Sequence, residues 1–284
     1  MSILVFGSTG QVAQELQHLG DVVALGRTEA DLSHPAACAA QITSRAPSAV
    51  INAAAFTNVD GAESETDLAN VVNGDAPGAM ARACAALDIP FVHISTDYVF
   101  SGQGDAAWAP DAPLSPVNAY GASKLRGEDA VRDAGGRFAI LRTSWVVSAH
   151  GNNFVKTMLR LGRSRDRLTV VNDEIGGLTT ARAIAAACLE IAEQLATDAD
   201  KAGTYHFSGA PDASWADVAR EVFRQAGVTC DVENILAADY PPRPAKRPLN
   251  SRMDCSTTEK VFGISRPDWS EGIAQILADL PEDT

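Results

Sequence analysis

The sequence predicts an α/β fold: a doubly wound parallel sheet over residues 1–147 followed by a smaller C-terminal α/β domain over 148–284. Three observations predict it. Short, almost continuously apolar runs alternate with segments of helical period through the first half, the signature of strands buried on both faces of a parallel sheet. The first run ends in a glycine turn that opens a helix. The 284 residues, 46% of them apolar, can bury one large core and leave enough chain for a second, smaller unit.

Charge and cysteine usage narrow the function. A net charge of -13 repels polyanions, which argues against nucleic acid or an anionic membrane as partner and gives local basic clusters extra meaning. Cys38, Cys84, Cys188, Cys230 and Cys255 are odd in number and scattered, which fits a reducing cytoplasm and suggests neither a disulfide framework nor a zinc site. No apolar run approaches a membrane span and no basic leader precedes the first strand, so a soluble, untargeted protein is expected.

Ser2 to Phe6 reads as the first strand, and Val12, Leu16 and Leu19 repeat at helical spacing after Gly7-Ser-Thr-Gly10-Gln-Val-Ala13. In that context the glycines let the backbone turn tightly against a pyrophosphate, which rests on the N–H groups of the helix start. Gly7, Gly10, Gln11 and Val12 are therefore candidate dinucleotide contacts. The strand Val22–Leu25 ends at Gly26-Arg27. A basic residue there suits the 2′-phosphate of NADPH, with NADH as the alternative cofactor and a solvated loop arginine as the alternative reading. Asp31 and Leu32 fall where an adenine contact is expected, and a helix is predicted around Pro35 to Arg45. The strand Ala49–Asn52 leads into Ala53, Ala54 and Ala55, small residues that leave room for the middle of the cofactor.

Residues 62–87 predict two packing helices with a break near Asn73-Gly74. The strand from Phe91 ends in Ser95-Thr96-Asp97, polar groups that need partners at the carboxyl end of a parallel strand. His93, alone inside that apolar strand, reads as a hydrogen-bonded core residue and is left out of the site. A Gly-, Pro- and Asp-rich loop over 101–116 forms a rim or lid. It leads to Tyr120-Gly-Ala-Ser-Lys124, one helical turn that places a phenol and an ammonium on one face, where the cation is expected to lower the phenol pKa for proton transfer. Trp145, past the strand Phe138–Arg142, either stacks on a sugar or base or belongs to the core. A helix over 154–161, a strand over 168–172, an amphipathic helix over 180–196 expected to pack back on the first domain, and a strand over 204–207 containing a structural His206 follow. Arg243, Lys246, Arg247 and Arg252 cluster in a Pro-rich loop, the chemistry of a diphosphate site or else a solvated basic loop. Trp269 and the helix 270–280 are expected to close the small core.

These segments resemble the dTDP-4-dehydrorhamnose reductase family of the extended short-chain dehydrogenase/reductases, a Rossmann-type superfamily. Gly7-Ser-Thr-Gly-Gln-Val12 and Tyr120-Gly-Ala-Ser-Lys124 are superfamily-wide. Ser95-Thr-Asp-Tyr-Val-Phe100 and Arg142-Thr-Ser-Trp-Val146 are much narrower, and Gly151-Asn-Asn-Phe154 and Arg247-Pro-Leu-Asn-Ser251 also carry the match. The resemblance implies NADPH-dependent reduction of the 4-keto group of dTDP-4-dehydro-β-L-rhamnose. Tyr120 would be the proton donor, Lys124 the partner of the tyrosine and the nicotinamide ribose, and Thr96 the donor to the substrate oxygen. Asp97, Trp145, Asn153 and Arg247 would be substrate contacts. Two rivals are a reductase of a related nucleotide-linked 4-keto-deoxysugar and a non-catalytic NADP-binding regulatory subunit of the same fold; a monomer or a homodimer is expected. Where the family usually shows Gly-Ala-Pro-Thr this chain has Gly176-Gly-Leu-Thr179, which is expected to loosen that turn. Some members dimerise through magnesium held by glutamates, and Glu15 sits where one such ligand could arise, although a lone glutamate in a first helix is otherwise simply solvated.

Overall fold

The computed structural model describes residues 2–281; Met1 and 282–284, the outermost residues of the two expected domains, lie outside them. The first half builds β1 (Ile3–Phe6), α1 (Gln11–Leu19), β2 (Val22–Leu25), α2 (Pro35–Arg45) and β3 (Ala49–Asn52). It continues through α3 (Thr66–Asn70), α4 (Ala76–Ala86), β4 (Phe91–Thr96), α5 (Ala119–Ala134) and β5 (Phe138–Thr143). The chain then forms β6 (Val146–Val147), α6 (Phe154–Gly162), β7 (Arg167–Val171), β8 (Ile175–Gly176), β9 (Thr179–Thr180), α7 (Ala181–Thr197) and β10 (Gly203–His206). Last come β11 (Ala213–Ser214), α8 (Trp215–Ala226), β12 (Asp231–Ile235), β13 (Asn250–Ser251), α9 (Ser256–Phe262) and α10 (Trp269–Asp279).

A six-stranded sheet in the order β10-β5-β4-β3-β1-β2, with every pair parallel, forms the frame. Successive side chains of a strand point to opposite faces, and β1 uses both. Leu4 and Phe6 join Cys38, Ile42, Met80 and Val131 under α2, α4 and α5, whereas Val5 joins Leu16, Ile184 and Cys188 under α1 and α7. With both faces covered, the apolar runs have no polar side, which is why they read as continuous. The strand order reverses at β1, opening a crevice at its carboxyl end, where α/β sheets bind ligands.

Residues 181–206 lie beyond the expected boundary at 147, yet they complete this sheet. β10 pairs with β5 from Gly203↔Ala139 to His206↔Arg142, and α7 packs beside α1. A single cut cannot divide a chain that crosses back, because Ile184, Ile191 and Phe207 need the apolar face that Val5 and Leu141 present. The remaining C-terminal elements form a second core around Val155, Leu159, Leu168, Val222, Phe223 and Ile273. There β7 and β12 pair in parallel, and β8 lies between β11 and β13.

Two expectations change character. Between α3 and α4 the chain does not break: a π-helical turn over Val71–Asp75 keeps it winding and turns Asn73 inward. The Asn73 amide accepts from Phe56 N and donates to Phe56 O and Ser123 Oγ, tying the loop after β3 to α5. The loop 101–116 is strapped down rather than free. Trp108 stacks on Phe100 at 4.9 Å between ring centroids, donates Nε1–H to Asn250 O and bridges to Met253.

Candidate active site

The crevice at the end of β1 is a cavity of about 900 Å³ lined by Gly7, Gly10, Gln11, Val12, Arg27, Asp31, Leu32 and Ala53 to Ala55, all expected there. Gly7 sits at φ 104°, a backbone that L side chains rarely adopt, and a Cβ on it would touch Ala54. Gly10 caps α1 without a side-chain bond, so the N–H groups of the first turn keep their capacity for an anion. This cradle fits a dinucleotide pyrophosphate. Arg27 is largely exposed and donates Nε–H to Asp31 at 3.2 Å, within reach of the crevice and of water alike. Ser33 N–H and hydroxyl hold the Asp31 carboxylate down to about 2, with Arg27 adding to the effect.

Farther along the same cavity stand Thr96, Asp97, Tyr120, Lys124 and Trp145. The α5 start that presents Tyr120 is fixed by Asn118, whose Oδ1 accepts from Gly121 N and whose Nδ2 donates to Lys246 O. Gly121 lies so close to Tyr98 O that a Cβ would collide with it, so the helix seats deeply and its tyrosine reaches the strand end. Thr96 Oγ1 donates to Asp97 Oδ1 at 3.0 Å and accepts from Tyr98 N. Burial pushes the Asp97 carboxyl up to about 6.

The tyrosine–lysine expectation is corrected here. Burial pushes the Tyr120 phenol up to about 12 rather than down, Asp97 adds to the rise, and a hydrogen bond with Thr96 opposes it. The Lys124 amine is turned elsewhere, donating to Ile94 O at 2.7 Å and lying 3.3 Å from His93 Nε2. Burial lowers its own pKa to about 8, with Glu128 opposing. A phenol held neutral is a group that still has its proton to give.

The side of the cleft facing the smaller core opens into a second cavity of about 780 Å³, and Tyr98 and Trp215 line both. Trp145, at φ 50°, stacks on Trp215 with centroids 3.7 Å apart and planes 12° from parallel. Its left-handed backbone is the kind of strain that surrounding packing must hold, and it turns the indole into the cleft. Arg247 lines the second cavity and pairs with Asp60 at 2.9 Å; Arg243 lines it too, 3.6 Å from Glu174 and over the Tyr240 ring. Lys246 and Arg252 do not line it, Arg252 donating instead to Asn250 Oδ1. Asn153 lies outside both linings. Its amide is used to cap α6 and to donate to Gln11 Oε1 and Ser148 O, holding the loop 148–153 against the glycine turn, and its neighbour Asn152 lines the crevice. The turn Gly176–Thr179 is pinned despite its missing proline, since Ser144 Oγ and Thr179 Oγ1 both donate to Gly177 O and Leu178 is buried.

The chain matches the family model described as the RmlD substrate binding domain over residues 1–281. It belongs to that family. It is 41% identical to a dTDP-4-dehydrorhamnose reductase of Sinorhizobium fredii over 98% of this chain and 97% of that one. To the reductase of the same name from Escherichia coli it is 38% identical over 99% and 98%. Among solved structures, the Clostridium acetobutylicum dTDP-4-dehydrorhamnose reductase superposes with a TM-score of 0.92 at 33% identity, covering 98% of this chain and 99% of that one. The Bacillus anthracis reductase, in complex with NADP, does so with 0.89 at 30% over 99% of both chains.

For a member of the RmlD substrate binding domain family, several wall residues were not legible in the sequence. Trp215, Glu174 and Tyr98 line the second cavity from separate segments, Trp215 donates Nε1–H to Glu174 Oε2 at 3.0 Å, and Asp60, outside both linings, pairs with Arg247. Only the polar residue types hinted at them. The family's magnesium suggestion can be tested on Glu15. Its Oε2 is buried without a hydrogen-bond partner; His150 Nε2 lies 3.2 Å from Oε1, Arg182 Nη1 3.8 Å from Oε2, and His18 completes a close group. Within one chain this group offers a single carboxylate beside two imidazoles and a guanidinium, so a magnesium ion here would take its other oxygens from water or a second copy.

Proposed function

We propose that this protein is an NADPH-dependent reductase that converts dTDP-4-dehydro-β-L-rhamnose to dTDP-L-rhamnose. One observation carries the reading: Tyr120 and Thr96 share one wall of the cavity whose other end is the Gly7–Gly10 cradle. NADPH, when bound, supplies the hydride that the sugar C4 receives. Thr96 and Tyr120 address the oxygen of that carbon. Thr96 Oγ1–H, which in the free protein donates to Asp97 Oδ1, turns to the substrate oxygen where negative charge develops, and Tyr120 Oη–H gives its proton to the forming hydroxyl, leaving a phenolate for solvent to reprotonate.

The substrate end reads as a nucleotide diphosphate site. Arg243 and Arg247 bring guanidinium charge to a cavity in an otherwise acidic protein, and such forks suit diphosphate oxygens. The stacked Trp145 and Trp215 offer an aromatic face to the sugar or base. Arg27 would meet the 2′-phosphate that separates NADPH from NADH. Every group invoked comes from one chain, so a monomer suffices. The cytoplasm suits five cysteines that are all free thiols. In the test, purified protein is given NADPH and dTDP-4-dehydro-β-L-rhamnose, absorbance of the reduced nicotinamide is followed, and the product is identified. Stoichiometric oxidation with formation of dTDP-L-rhamnose is expected. Bound NADPH without turnover would favour the regulatory reading.

A further inference from the structure

Asn52, His93 and Lys124 form a buried chain of polar groups between the loop that shapes the cofactor crevice and the catalytic helix. Ala54 N–H donates to Asn52 Oδ1 at 3.2 Å, and Asn52 Nδ2 lies 3.1 Å from His93 Nδ1. His93 Nε2 lies 3.3 Å from Lys124 Nζ, which itself donates to Ile94 O at 2.7 Å. His93 and Asn52 are 0% and 1% exposed, so bulk solvent does not reach them.

The protons in this chain are constrained from the Ala54 end. With its oxygen turned to Ala54, the Asn52 amide presents a donor to Nδ1. That nitrogen must accept, and the single proton of a neutral ring then sits on Nε2. An Nε2–H facing Nζ finds a lone pair only if the amine is neutral. Turning the amide over removes the conflict at Lys124 only by moving it to Ala54, where N–H would face NH₂. A charged Lys124 therefore leaves one donor–donor contact somewhere in the chain, and a neutral one leaves none.

We propose that His93, its ring fixed by Asn52, is a positioning residue for Lys124 that donates Nε2–H to the amine and lowers its proton affinity. The inference rests on the reductase reading for its meaning, since Lys124 is the group proposed to meet the nicotinamide ribose beside Tyr120. The other charged groups around Lys124 pull the opposite way or are engaged. Glu128, one turn along α5, favours the cation but is itself bound by Arg142 of β5, by Arg132 and by Ser95. Asp97 follows β4 and acts on Tyr120. Glu63, Asp67, Asp75 and Arg82, on the segments packed along α5, are exposed or point to partners outside this chain of bonds. Burial acts in the same direction as His93, bringing Lys124 to about 8.

The test reads the Lys124 titration directly by the ¹³Cε shift of labelled lysine, one of five lysines, in the full-length protein without substrate. In His93→Leu the neutral amine loses a donor, and its proton affinity should rise about three- to tenfold, the worth of one net hydrogen bond. His93→Gln, which restores an N–H donor, should return it to within about twofold of native. Asn52→Ala, which frees the ring to choose its tautomer, should raise it in the same direction and serves if His93→Leu does not fold. An unchanged Lys124 titration in the Leu and Ala variants would overturn the proposal, whatever happened to turnover. A native protein without turnover whose Lys124 still shifts as described would overturn the reductase reading and leave this one standing.

Discussion

The cofactor end and the substrate end of the cleft are built by different means. The cofactor end is made of backbone and of small side chains on consecutive elements: Gly7 at φ 104°, the uncapped start of α1, and Ala53 to Ala55 after β3. The substrate end is made of side chains that meet from distant segments, as Arg247 meets Asp60 and Trp215 meets Glu174 and Trp145. On the proposed function one end would recognise by shape and the other by charge and stacking, so the same size of substitution should fail in different ways at each.

The largest effect is expected at the cofactor end. Gly7→Val places a β-branched side chain at positive φ against Ala54, and strain plus overpacking should lower stability by about 3–5 kcal/mol, read by denaturant unfolding, with NADPH binding lost in what remains folded. An unaffected protein would mean that the turn is not held as described. Between the two ends, Asp97 sets a pH test. Its folded pKa, about 6, is raised from 3.8, so the folded state holds the extra proton. The stabilisation it gives is present below pH 3.8 and is lost as pH rises through about 6. Asp97→Asn should therefore stabilise the fold by about 2–3 kcal/mol at pH 7 and flatten the stability profile across that window. A profile unchanged by the mutation would contradict the burial of that charge.

At the substrate end Arg247→Ala should raise KM for the nucleotide sugar about tenfold, while the Kd of NADPH stays within about twofold, since a hydrogen bond to a charged group contributes about 1.5–3 kcal/mol and this one is shared with Asp60. Parallel losses for both ligands would erase the distinction between the ends. Arg27→Ala should give the smallest change, a roughly threefold to tenfold weakening of NADPH with NADH unaffected, because an exposed pair contributes little. Equal changes for both cofactors would remove Arg27 from the 2′-phosphate.

The same contrast explains what the sequence disclosed. The strands of the large sheet are short apolar runs because both faces are covered, and the glycine turn carries its own local signature, so the fold and the cofactor end are legible residue by residue. α7 is legible as an amphipathic helix that packs back on the first domain, whereas nothing local tells a strand at 203–206 that its partner is β5 rather than an element of the smaller unit. Trp215, Glu174 and Asp60 carry no local pattern at all; only tertiary packing brings Trp215 and Glu174 to one cavity and Asp60 to Arg247. The apolar neighbours of His93 mark it as a buried, hydrogen-bonded histidine, but not that its Nε2 lies 3.3 Å from Lys124 Nζ. The direction of the Tyr120 shift was misjudged for a related reason: a four-residue spacing gives proximity on a helix, whereas desolvation and the choice of Ile94 O as lysine partner are tertiary facts.

The central claim is that Tyr120 holds a proton at neutral pH and gives it to the substrate oxygen. The most direct measurement is single-turnover reduction by Tyr120→Phe beside the native protein, with NADPH binding measured in both. The account predicts a fall of at least about a hundredfold in the reduction rate, with the Kd of NADPH changed by no more than about twofold. A Phe variant that reduces substrate at the native rate would contradict it.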